Sequence, residues 1–339
     1  MAKRKKKTVL VTGASGFLGL HLVAELKSQG LQVRSFGRSE SEHLAALGVE
    51  QVQGSVLDSD ACNHVTRGVD AVYHLAGMVS RKPEDSGRLY DVHVVGVRNM
   101  LTACTEHGLE RVVVASTSGT VGVSKDADFL ADESSEVPWK IIGRWAYYES
   151  KAYAEREIES FLNRGLPVKV ARPTLLLGPG DHSGSSTGDV AKFLSGDVKA
   201  ALPGGMSFVD ARDVAVALPG LLEHGEPGVG YLMGAVNFSI KDFLLGLQQA
   251  SGVPAPAFAL PSAVVSRMRG VFKQASKLSM FGGLDEQTFE MGCHYWYIDS
   301  ARARAEIGFE PRDWAETLTD TVADIRGIGQ PVVDQYATR

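Results

Sequence analysis

The chain has 339 residues, of which 44% are hydrophobic and 22% are charged, and it carries a formal net charge of −5. These proportions are those of an ordinary globular protein, so they exclude a disordered chain, a collagen-like repeat and a disulfide scaffold. The length fits one large domain with a smaller appendage, and a chain of this size buries roughly three quarters of its unfolded surface.

Cysteine and charge usage indicate the setting in which we expect the protein to work. The three cysteines are scattered and show no metal-ligand spacing, which favours a reducing, cytoplasmic compartment and no bound metal. No apolar run approaches the roughly 18 residues that a membrane span requires. Five positive charges lie in residues 3–7, which leaves −10 for the rest of the chain and argues against a nucleic-acid partner. We interpret the basic segment as a solvated tail.

In chain order, short apolar runs alternate with segments of helical periodicity. Strands are predicted at residues 8–11, 32–36, 51–53, 71–74, 111–115 and 168–171. Helices are predicted between them at residues 18–29, 59–67, 91–107 and 145–163. This alternation is typical of βαβ units with right-handed crossovers. We therefore predict an α/β protein with a Rossmann-type, doubly wound parallel sheet.

Beyond residue 171 the alternation weakens. Residues 178–188 are rich in glycine and serine and are predicted to form a loop, while helices are predicted at 238–251, 261–277 and 314–326. We expect residues 1–177 to form the Rossmann domain, with a return of the chain at about 206–236. Residues 178–205 and 237–339 should form a smaller, mostly helical lobe that binds substrate at the carboxyl ends of the strands.

The strongest local signal is the sequence TGASGFLG at residues 12–19, between the first strand and the first helix. Gly13 permits a tight turn, Gly16 lets a pyrophosphate approach the backbone, and Gly19 allows the helix to pack closely on the strand. Glycines alone also mark ordinary turns. In this strand–turn–helix context, however, they predict a dinucleotide-binding site.

The residues after the second strand bear on which dinucleotide is bound. An NAD enzyme usually has an acidic residue there to hold the adenine ribose, whereas this chain has Gly37 followed by Arg38. A planar guanidinium suits a 2′-phosphate, although Arg38 could also be a surface residue of a turn. We therefore predict NADP(H), with NAD(H) as the alternative.

A second constellation is Tyr147 and Lys151, which share one face of the predicted helix because they are four residues apart. A lysine ammonium beside a phenol favours the phenolate, so we expect a lowered pKa for Tyr147 and a role in acid–base catalysis. Thr117 or Ser118, after an apolar strand, could help to polarise a carbonyl. These hydroxyls could also simply satisfy the loop backbone.

Taken together, these motifs resemble the extended (atypical) short-chain dehydrogenase/reductase family of the NAD-dependent epimerase/dehydratase superfamily, over nearly the whole chain. The landmarks that match in order and spacing are TGASGFLG at 12–19, HLAG at 74–77, the hydroxyls at 116–118, Tyr147 with Lys151, RP at 172–173, GPG at 178–180 and FVDARDVA at 208–215. The segments 33–38, 118–121 and 145–151 look most like the dihydroflavonol-reductase and 3β-hydroxysteroid-dehydrogenase branches, and the sugar-nucleotide epimerases look more distant.

The resemblance implies an oxidoreductase that moves hydride between a nicotinamide and a carbonyl or secondary alcohol. It implies that Tyr147 donates or accepts the proton and that Lys151 also holds the nicotinamide ribose. Alignment on residues 119–121 makes Thr117 the assisting hydroxyl, whereas alignment from the strand end favours Ser118. The residues it places around the cofactor are Gly13, Ser15, Gly16, Phe17, Leu18, Arg38, Asp58, Leu75, Ala76, Gly77, Tyr147, Lys151, Pro173 and Thr174.

The chain departs from the family pattern at two places. His93 stands where the family usually has an asparagine, which puts an asparagine-linked proton relay in doubt. A histidine packed on a helix face is the simpler interpretation of His93, and a replacement relay is the other. Ser55 stands where an acidic residue often follows the third strand, with Asp58 further on, and this weakens the adenine contact assigned to Asp58.

The substrate pocket should be lined by the residues after HLAG and by the second lobe. The candidates, each of which could instead belong to the core, are Met78, Val79, Met206 and Tyr295, with Phe208, Trp296 and Tyr297. As a set they indicate a fairly apolar ketone or alcohol as substrate. Arg81, Lys82 and Arg302 could nevertheless hold a diphosphate, so an NDP-sugar epimerase or dehydratase stays open. A non-catalytic NAD(P) sensor is the third alternative, which the presence of both Tyr147 and Lys151 disfavours.

The resemblance also implies a homodimer, in which the helices at 91–107 and 145–163 pair with their symmetry mates. Their apolar residues Val94, Val95, Leu101, Phe161 and Leu162 are the candidate contacts. The alternative is that all five residues face the parent sheet.

Overall fold

The computed structural model describes residues 7–260, 285–329 and 332. Its strands are β1 Thr8–Thr12, β2 Gln32–Gly37, β3 Glu50–Gln53, β4 Ala71–His74, β5 Val112–Ala115, β6 Val168–Pro173, β7 Leu175–Leu177, β8 Gly205–Asp210, β9 Gly230–Met233 and β10 Val236–Ser239. Its α-helices are α1 Phe17–Ser28, α2 Glu42–Ala46, α3 Ser59–Thr66, α4 Ser86–Tyr90, α5 Gly96–Glu106, α6 Trp139–Ile142, α7 Ala146–Leu162, α8 Gly188–Leu194, α9 Ala211–His224, α10 Ile240–Ser251, α11 Glu286–Met291, α12 Ala301–Ile307 and α13 Trp314–Ile325. The helix predicted at 261–277 lies outside the described residues.

Seven parallel strands form the larger sheet, in the order β3–β2–β1–β4–β5–β6–β9. The direction of strand succession reverses at β1, so β1 and β4 lie side by side and a crevice opens at their carboxyl ends. The predicted α/β fold with a doubly wound parallel sheet is therefore confirmed.

Both faces of this sheet are covered by helices. In β1, Val9 and Val11 belong to the apolar cluster that contains residues of α1 and α9, whereas Leu10 belongs to the cluster formed with α3, α5 and α7. All three side chains are almost completely buried. Burial on both faces explains why β1 is a continuous apolar run rather than an alternating one.

The remaining strands form a second, three-stranded sheet in the order β10–β8–β7. Strand β8 pairs parallel with β7 and antiparallel with β10, and the sheet packs with α8, α10 and α13 around a core that includes Phe208. The C-terminal region is thus helical as predicted, with a small sheet that was not predicted. Because Phe208 is fully buried in this core, its prediction as a pocket residue is wrong. The chain returns to the larger sheet through α9 and β9 before it enters β10.

The helix predicted at 91–107 is longer and less regular than expected. It begins with α4 at Ser86, passes through one π-helical segment at Asp91–Val95 and continues as α5 from Gly96. A π-helical turn inside an α-helix often marks a functional position. In this chain the π-helical segment contains His93.

Candidate active site

The glycine turn joins β1 to α1 at the edge where β4 also ends. Gly13 has φ of 69°, and a Cβ on it would lie 2.8 Å from backbone atoms of Leu75 and Ala76. Gly19 lies against the carbonyl oxygen of Gly13, where a Cβ would come within 2.1 Å. Only glycine fits these two positions, so the turn and the start of α1 can approach the end of β4 closely.

The N-terminus of α1 is open for an anion. Gly16 occupies the N-cap position, no side chain caps the helix, and Ser15 and Gly16 are exposed. Backbone N–H groups at such a helix end have no acceptor within the helix, and the helix dipole favours negative charge there. The turn therefore fits a pyrophosphate. Phe17 is half-buried, whereas Leu18 belongs to the core and can meet a cofactor only through its backbone.

The segment Leu75–Gly77 follows β4 and is held by two buried side chains. Thr12 Oγ1 accepts a hydrogen bond from the Ala76 N–H (3.1 Å) and is also hydrogen-bonded to His74 Nδ1 (2.8 Å). Burial lowers the pKa of His74 to about 3, so its imidazole is neutral. The backbone predicted to contact the cofactor is thus fixed to the neighbouring strand β1.

Arg38 lies at the carboxyl end of β2, where the adenine end of a dinucleotide would lie. Its side chain is exposed, and within residues 7–260 and 285–329 it forms no hydrogen bond or ion pair. By contrast, Arg34 on the same strand pairs with Glu50 at 2.9 Å. Arg38 therefore keeps all of its donors available for a ligand. Asp58 caps α3 by accepting from the backbone N–H groups of Asp60 and Ala61 through Oδ1, which leaves Oδ2 for any further contact.

Tyr147 and Lys151 lie on α7, as the four-residue spacing predicted. The phenol of Tyr147 lies close enough to the Thr117 hydroxyl for that hydroxyl to act on the phenol's pKa, whereas Lys151 Nζ donates to the carbonyl oxygen of Ala115 (2.9 Å) at the end of β5. The structure thus brings Thr117 to Tyr147. Ser118 lies beside Thr117, buried in the 3₁₀ turn Ser118–Thr120.

The ionisation of this pair differs from the expectation. Burial raises the pKa of Tyr147 above its ordinary value, the hydrogen bond from Thr117 opposes this only in part, and Lys151 does not act on it. The expected lowering of the pKa by Lys151 is therefore wrong for the protein alone. Burial lowers the pKa of Lys151 to about 8, against the opposing effect of Glu155. Near neutrality the phenol is protonated and the lysine is mainly an ammonium.

A buried polar network behind the site was missed by the sequence analysis. Glu155, one helical turn after Lys151, forms an ion pair with Arg172 at 2.7 Å and accepts hydrogen bonds from Ser116 and Thr120. Both partners of the ion pair are 13% exposed. The network joins α7 to β6 and to the loop after β5. The spacing of Lys151 and Glu155 is a sequence signal for it, but the partners on other strands are not.

The predicted substrate residues do not all share one surface. Met78 and Val79 follow Gly77, and Val79 is 51% exposed. Met206 on β8 packs against the same core as Phe208, so the structure places it away from the end of β4. Tyr295 is bridged to Gly205 and lies against the ring of Tyr297. An aromatic wall continues from Tyr147 through Tyr148 to Trp296, with ring centroids 5.0 and 4.8 Å apart.

Pro173 and Thr174 follow β6 at the same edge of the sheet. Thr174 donates hydrogen bonds from its N–H and its hydroxyl to the carbonyl oxygen of Met233, at 3.0 and 3.3 Å. Its hydroxyl is therefore committed within the protein, and a cofactor would meet this segment mainly through Pro173 and backbone.

The cations proposed for a diphosphate are not gathered at the site. Arg81 forms a bidentate ion pair with Asp189 on α8 and also donates to Thr288. Arg302 lies near the amino end of β9, opposite to the carboxyl ends of the strands, where it pairs with Glu226 and Glu306. Of the three, Lys82 has no ion-pair partner within the described part of the chain, and it lines a cleft of about 240 Å³ with Arg81 and Arg144.

Fold and site define the class of the protein. The family model for the NAD dependent epimerase/dehydratase family matches residues 9–234, and the chain belongs to this family. The match covers the Rossmann sheet, the glycine turn, Tyr147 and Lys151. Within residues 7–260 and 285–329, no helix is long and apolar enough to cross a membrane, and no cluster of three His, Cys, Asp or Glu residues could hold a metal.

Particular relatives narrow the comparison. The chain is 30% identical to sterol demethylase protein B of Methylococcus capsulatus, over 95% of this chain and 99% of that protein. It is also 30% identical to a putative dihydroflavonol 4-reductase of Synechocystis sp., over 92% of each chain. The solved structure of gox2253 is 26% identical, with a TM-score of 0.83, and covers 96% of this chain and 100% of that one. Other relatives are named as a reductase and as a 3 beta-hydroxysteroid dehydrogenase/isomerase, and the chain is a member of the NAD dependent epimerase/dehydratase family together with them.

Proposed function

We propose that the protein is an NADP(H)-dependent oxidoreductase that reduces the carbonyl of a fairly apolar small molecule or oxidises the corresponding secondary alcohol. The observation that carries this proposal is that the Tyr147 phenol and the Thr117 hydroxyl are neighbours at the carboxyl end of β5, where Lys151 Nζ donates to the carbonyl oxygen of Ala115 (2.9 Å). Two hydroxyl donors would thus be available to one substrate oxygen, beside the ammonium of Lys151. Two donors of this kind suit an oxygen atom that gains negative charge during reaction.

The cofactor fits the residues that are present. The pyrophosphate would lie on the Gly13–Gly16 turn, the 2′-phosphate on Arg38, and the nicotinamide end near Gly77, Lys151 and Pro173. When bound, NADP(H) supplies the hydride that is exchanged with the substrate carbon. The support for NADP(H) over NAD(H) is the combination of Gly37 and an Arg38 whose donors are all available.

The side chains of the protein supply the proton. The raised pKa keeps the phenol of Tyr147 protonated, so it can donate to a carbonyl oxygen as that oxygen becomes an alkoxide. Thr117 can donate a second hydrogen bond to the same oxygen. Lys151, which donates to the carbonyl oxygen of Ala115, presents an ammonium that can hold a ribose hydroxyl of the cofactor.

The walls of the crevice support an apolar substrate. Met78, Val79 and Trp296 offer apolar surface, and Arg81 is already neutralised by Asp189. Two relatives whose names denote a sterol pathway protein and a dihydroflavonol reductase are consistent with a polycyclic or aromatic ketone. An NDP-sugar substrate has less support, because Arg302 lies near the amino end of β9, away from the carboxyl ends of the strands.

The test is a panel of apolar ketones and of NDP-sugars, each with NADPH and with NADH, followed at the nicotinamide absorbance band. The proposal predicts cofactor oxidation with ketones and a preference for NADPH. Conversion of an NDP-sugar without net cofactor consumption would instead show an epimerase, and tight cofactor binding without turnover of any compound would show a sensor.

We also propose a homodimer, for which the family resemblance is the support. Val94, Leu101 and Phe161 are buried within the chain and cannot be its contacts. The dimer would therefore use partly exposed residues such as Val95 and Leu162. Sedimentation at micromolar concentration should give twice the chain mass of 36.3 kDa, and a species of the chain mass would contradict the dimer.

A further inference from the structure

His93 is fully buried in the π-helical segment. It lies between the segment at Met78 that follows β4, here called the substrate loop, and α7, here called the catalytic helix because it carries Tyr147. Its Nε2 accepts a hydrogen bond from the backbone N–H of Met78 (3.1 Å), and its Nδ1 is hydrogen-bonded to Ser150 Oγ (2.8 Å). Its ring meets the ring of Tyr147 edge-on, with centroids 5.6 Å apart. One imidazole therefore contacts both the backbone that lines the pocket and the helix that carries Tyr147.

Two independent contacts fix the proton of this imidazole. The N–H of Met78 can only donate, so Nε2 must be without a proton. The Ser150 hydroxyl donates its proton to the carbonyl oxygen of Tyr147 (2.8 Å), so Ser150 Oγ must accept from Nδ1. Both requirements are met only by the neutral Nδ1–H tautomer, which completes a chain from Met78 through His93 and Ser150 to Tyr147.

The surroundings keep the imidazole neutral. Burial and the ammonium of Lys151 lower the pKa of His93 well below its ordinary value. A Cβ on Gly77 would lie 3.4 Å from His93 Nε2 and 3.6 Å from Lys151 Nζ, so both groups border the same small space. A proton on Nε2 would remove the acceptor of the Met78 N–H.

We propose that His93 is a positioning residue, which sets the distance between the substrate loop at Met78 and the catalytic phenol of Tyr147. It does not carry the proton of the reaction. This inference rests on the proposed function, since it assigns Tyr147 the role of proton donor. It also explains why a histidine is accommodated at this position. Its Nε2 binds the backbone at Met78 on one side of the crevice, and its Nδ1 binds Ser150 of α7 on the other side.

Two conservative variants separate the two contacts. The amide nitrogen of asparagine occupies the place of Nδ1, so His93→Asn should keep the Ser150 contact and lose the Met78 contact. The amide oxygen of glutamine occupies the place of Nε2, so His93→Gln should keep the Met78 contact and lose the Ser150 contact. We expect a raised KM for the ketone with nearly unchanged kcat in His93→Asn. We expect a kcat lowered roughly 10–100-fold with nearly unchanged KM in His93→Gln, because a displacement of about 1 Å costs that much.

The matched control is His107→Gln, at the other end of α5, where the imidazole contacts the carbonyl oxygen of Asn63. It should leave kcat and KM unchanged. The shape of the pH–rate profile should be the same in wild type and in both His93 variants. Loss of an ionisation from that profile would show that His93 carries a proton. Wild-type values of kcat and KM in both His93 variants would also overturn the inference. So would changes in kcat and KM that are the same in both variants and are accounted for by a lowered Tm.

A measurement on the wild-type holoenzyme tests the inference without any measurement of turnover. The ¹⁵N shifts of labelled histidine, with NADP⁺ bound, should show His93 as the neutral Nδ1–H tautomer from pH 6 to 9. An Nε2–H tautomer, or titration within this range, would refute the positioning role. Absence of turnover with every ketone, together with the expected tautomer, would instead contradict the proposed function.

Discussion

Removal of the Tyr147 hydroxyl alone, in Tyr147→Phe, should separate catalysis from structure. The ring would keep its edge-on contacts with His93 and Tyr148, at 5.6 and 5.0 Å. The loss of the hydroxyl should cost no more than one hydrogen bond, about 0.5–1.5 kcal/mol of the free energy of unfolding. The loss of a general acid should lower kcat by roughly 10²–10⁴, which corresponds to about 2.7–5.4 kcal/mol in the reaction barrier.

The assay is NADPH oxidation with the best ketone of the panel, combined with NADPH fluorescence titration and a thermal melt. Tyr148→Phe is the control, since Tyr148 is the next residue, packs against Trp296 and has a pKa that burial raises to about 12. It should change kcat little. Near-normal turnover in Tyr147→Phe would refute the assignment, and abolished turnover in Tyr148→Phe would show that the neighbouring tyrosine is the acid.

Three further predictions test separate parts of the structure. Arg38→Ala should weaken NADPH binding roughly 10–100-fold through the loss of about 1.5–3 kcal/mol, and NADH binding little; equal losses in fluorescence titration would contradict the 2′-phosphate contact. Glu155→Gln, which leaves Arg172 without its counter-charge, should cost about 3–5 kcal/mol in urea unfolding, against about 1 kcal/mol or less for Glu157→Gln, since Glu157 is half-buried and its partner Arg98 is exposed. The folded pKa of Lys151 (about 8) lies below the unfolded value of 10.5, so the unfolded state binds more protons between these values and stability rises with pH there. Relative to Lys151→Met, wild type should gain up to about 3 kcal/mol over this window, and parallel stability curves would contradict the assigned pKa.

The parts of the fold that the sequence predicted are those set by local pattern. The first six strands of the larger sheet and the helices α1, α3 and α7 are apolar or periodic segments, and each was placed within a few residues. The short helices α2 and α6 were not predicted. The small sheet was not predicted, because β7 has three residues and β10 four, and their pairing with β8 depends on partners distant in the chain. The π-helical segment was missed because its residues, DVHVV, fit an ordinary helix equally well.

The site shows the same division. The glycine turn and the Tyr147–Lys151 pair are each formed by residues close together in the sequence. Their spacing alone was therefore sufficient to find them. The predicted effect of Lys151 on the pKa of Tyr147 was wrong because the Lys151 ammonium donates to the carbonyl oxygen of Ala115, which lies 36 residues earlier in the chain. The pairing of Arg81 with Asp189 spans 108 residues, and no sequence pattern indicates it.

The distant contacts explain how the crevice keeps its shape. The end of β4 is tied to β1 by Thr12 and His74, and the loop after β5 is tied to α7 and β6 by Glu155 and Arg172. Each tie is buried, where an unpaired partner would be costly, so each has one arrangement. All of these ties join residues of the Rossmann sheet and its helices to one another. The ion pair of Arg81 with Asp189, in contrast, is 38% and 46% exposed and joins the substrate loop to α8. An exposed pair contributes about 1 kcal/mol or less, so this contact between the loop after β4 and α8 fixes the shape of the crevice far less than the buried ties do.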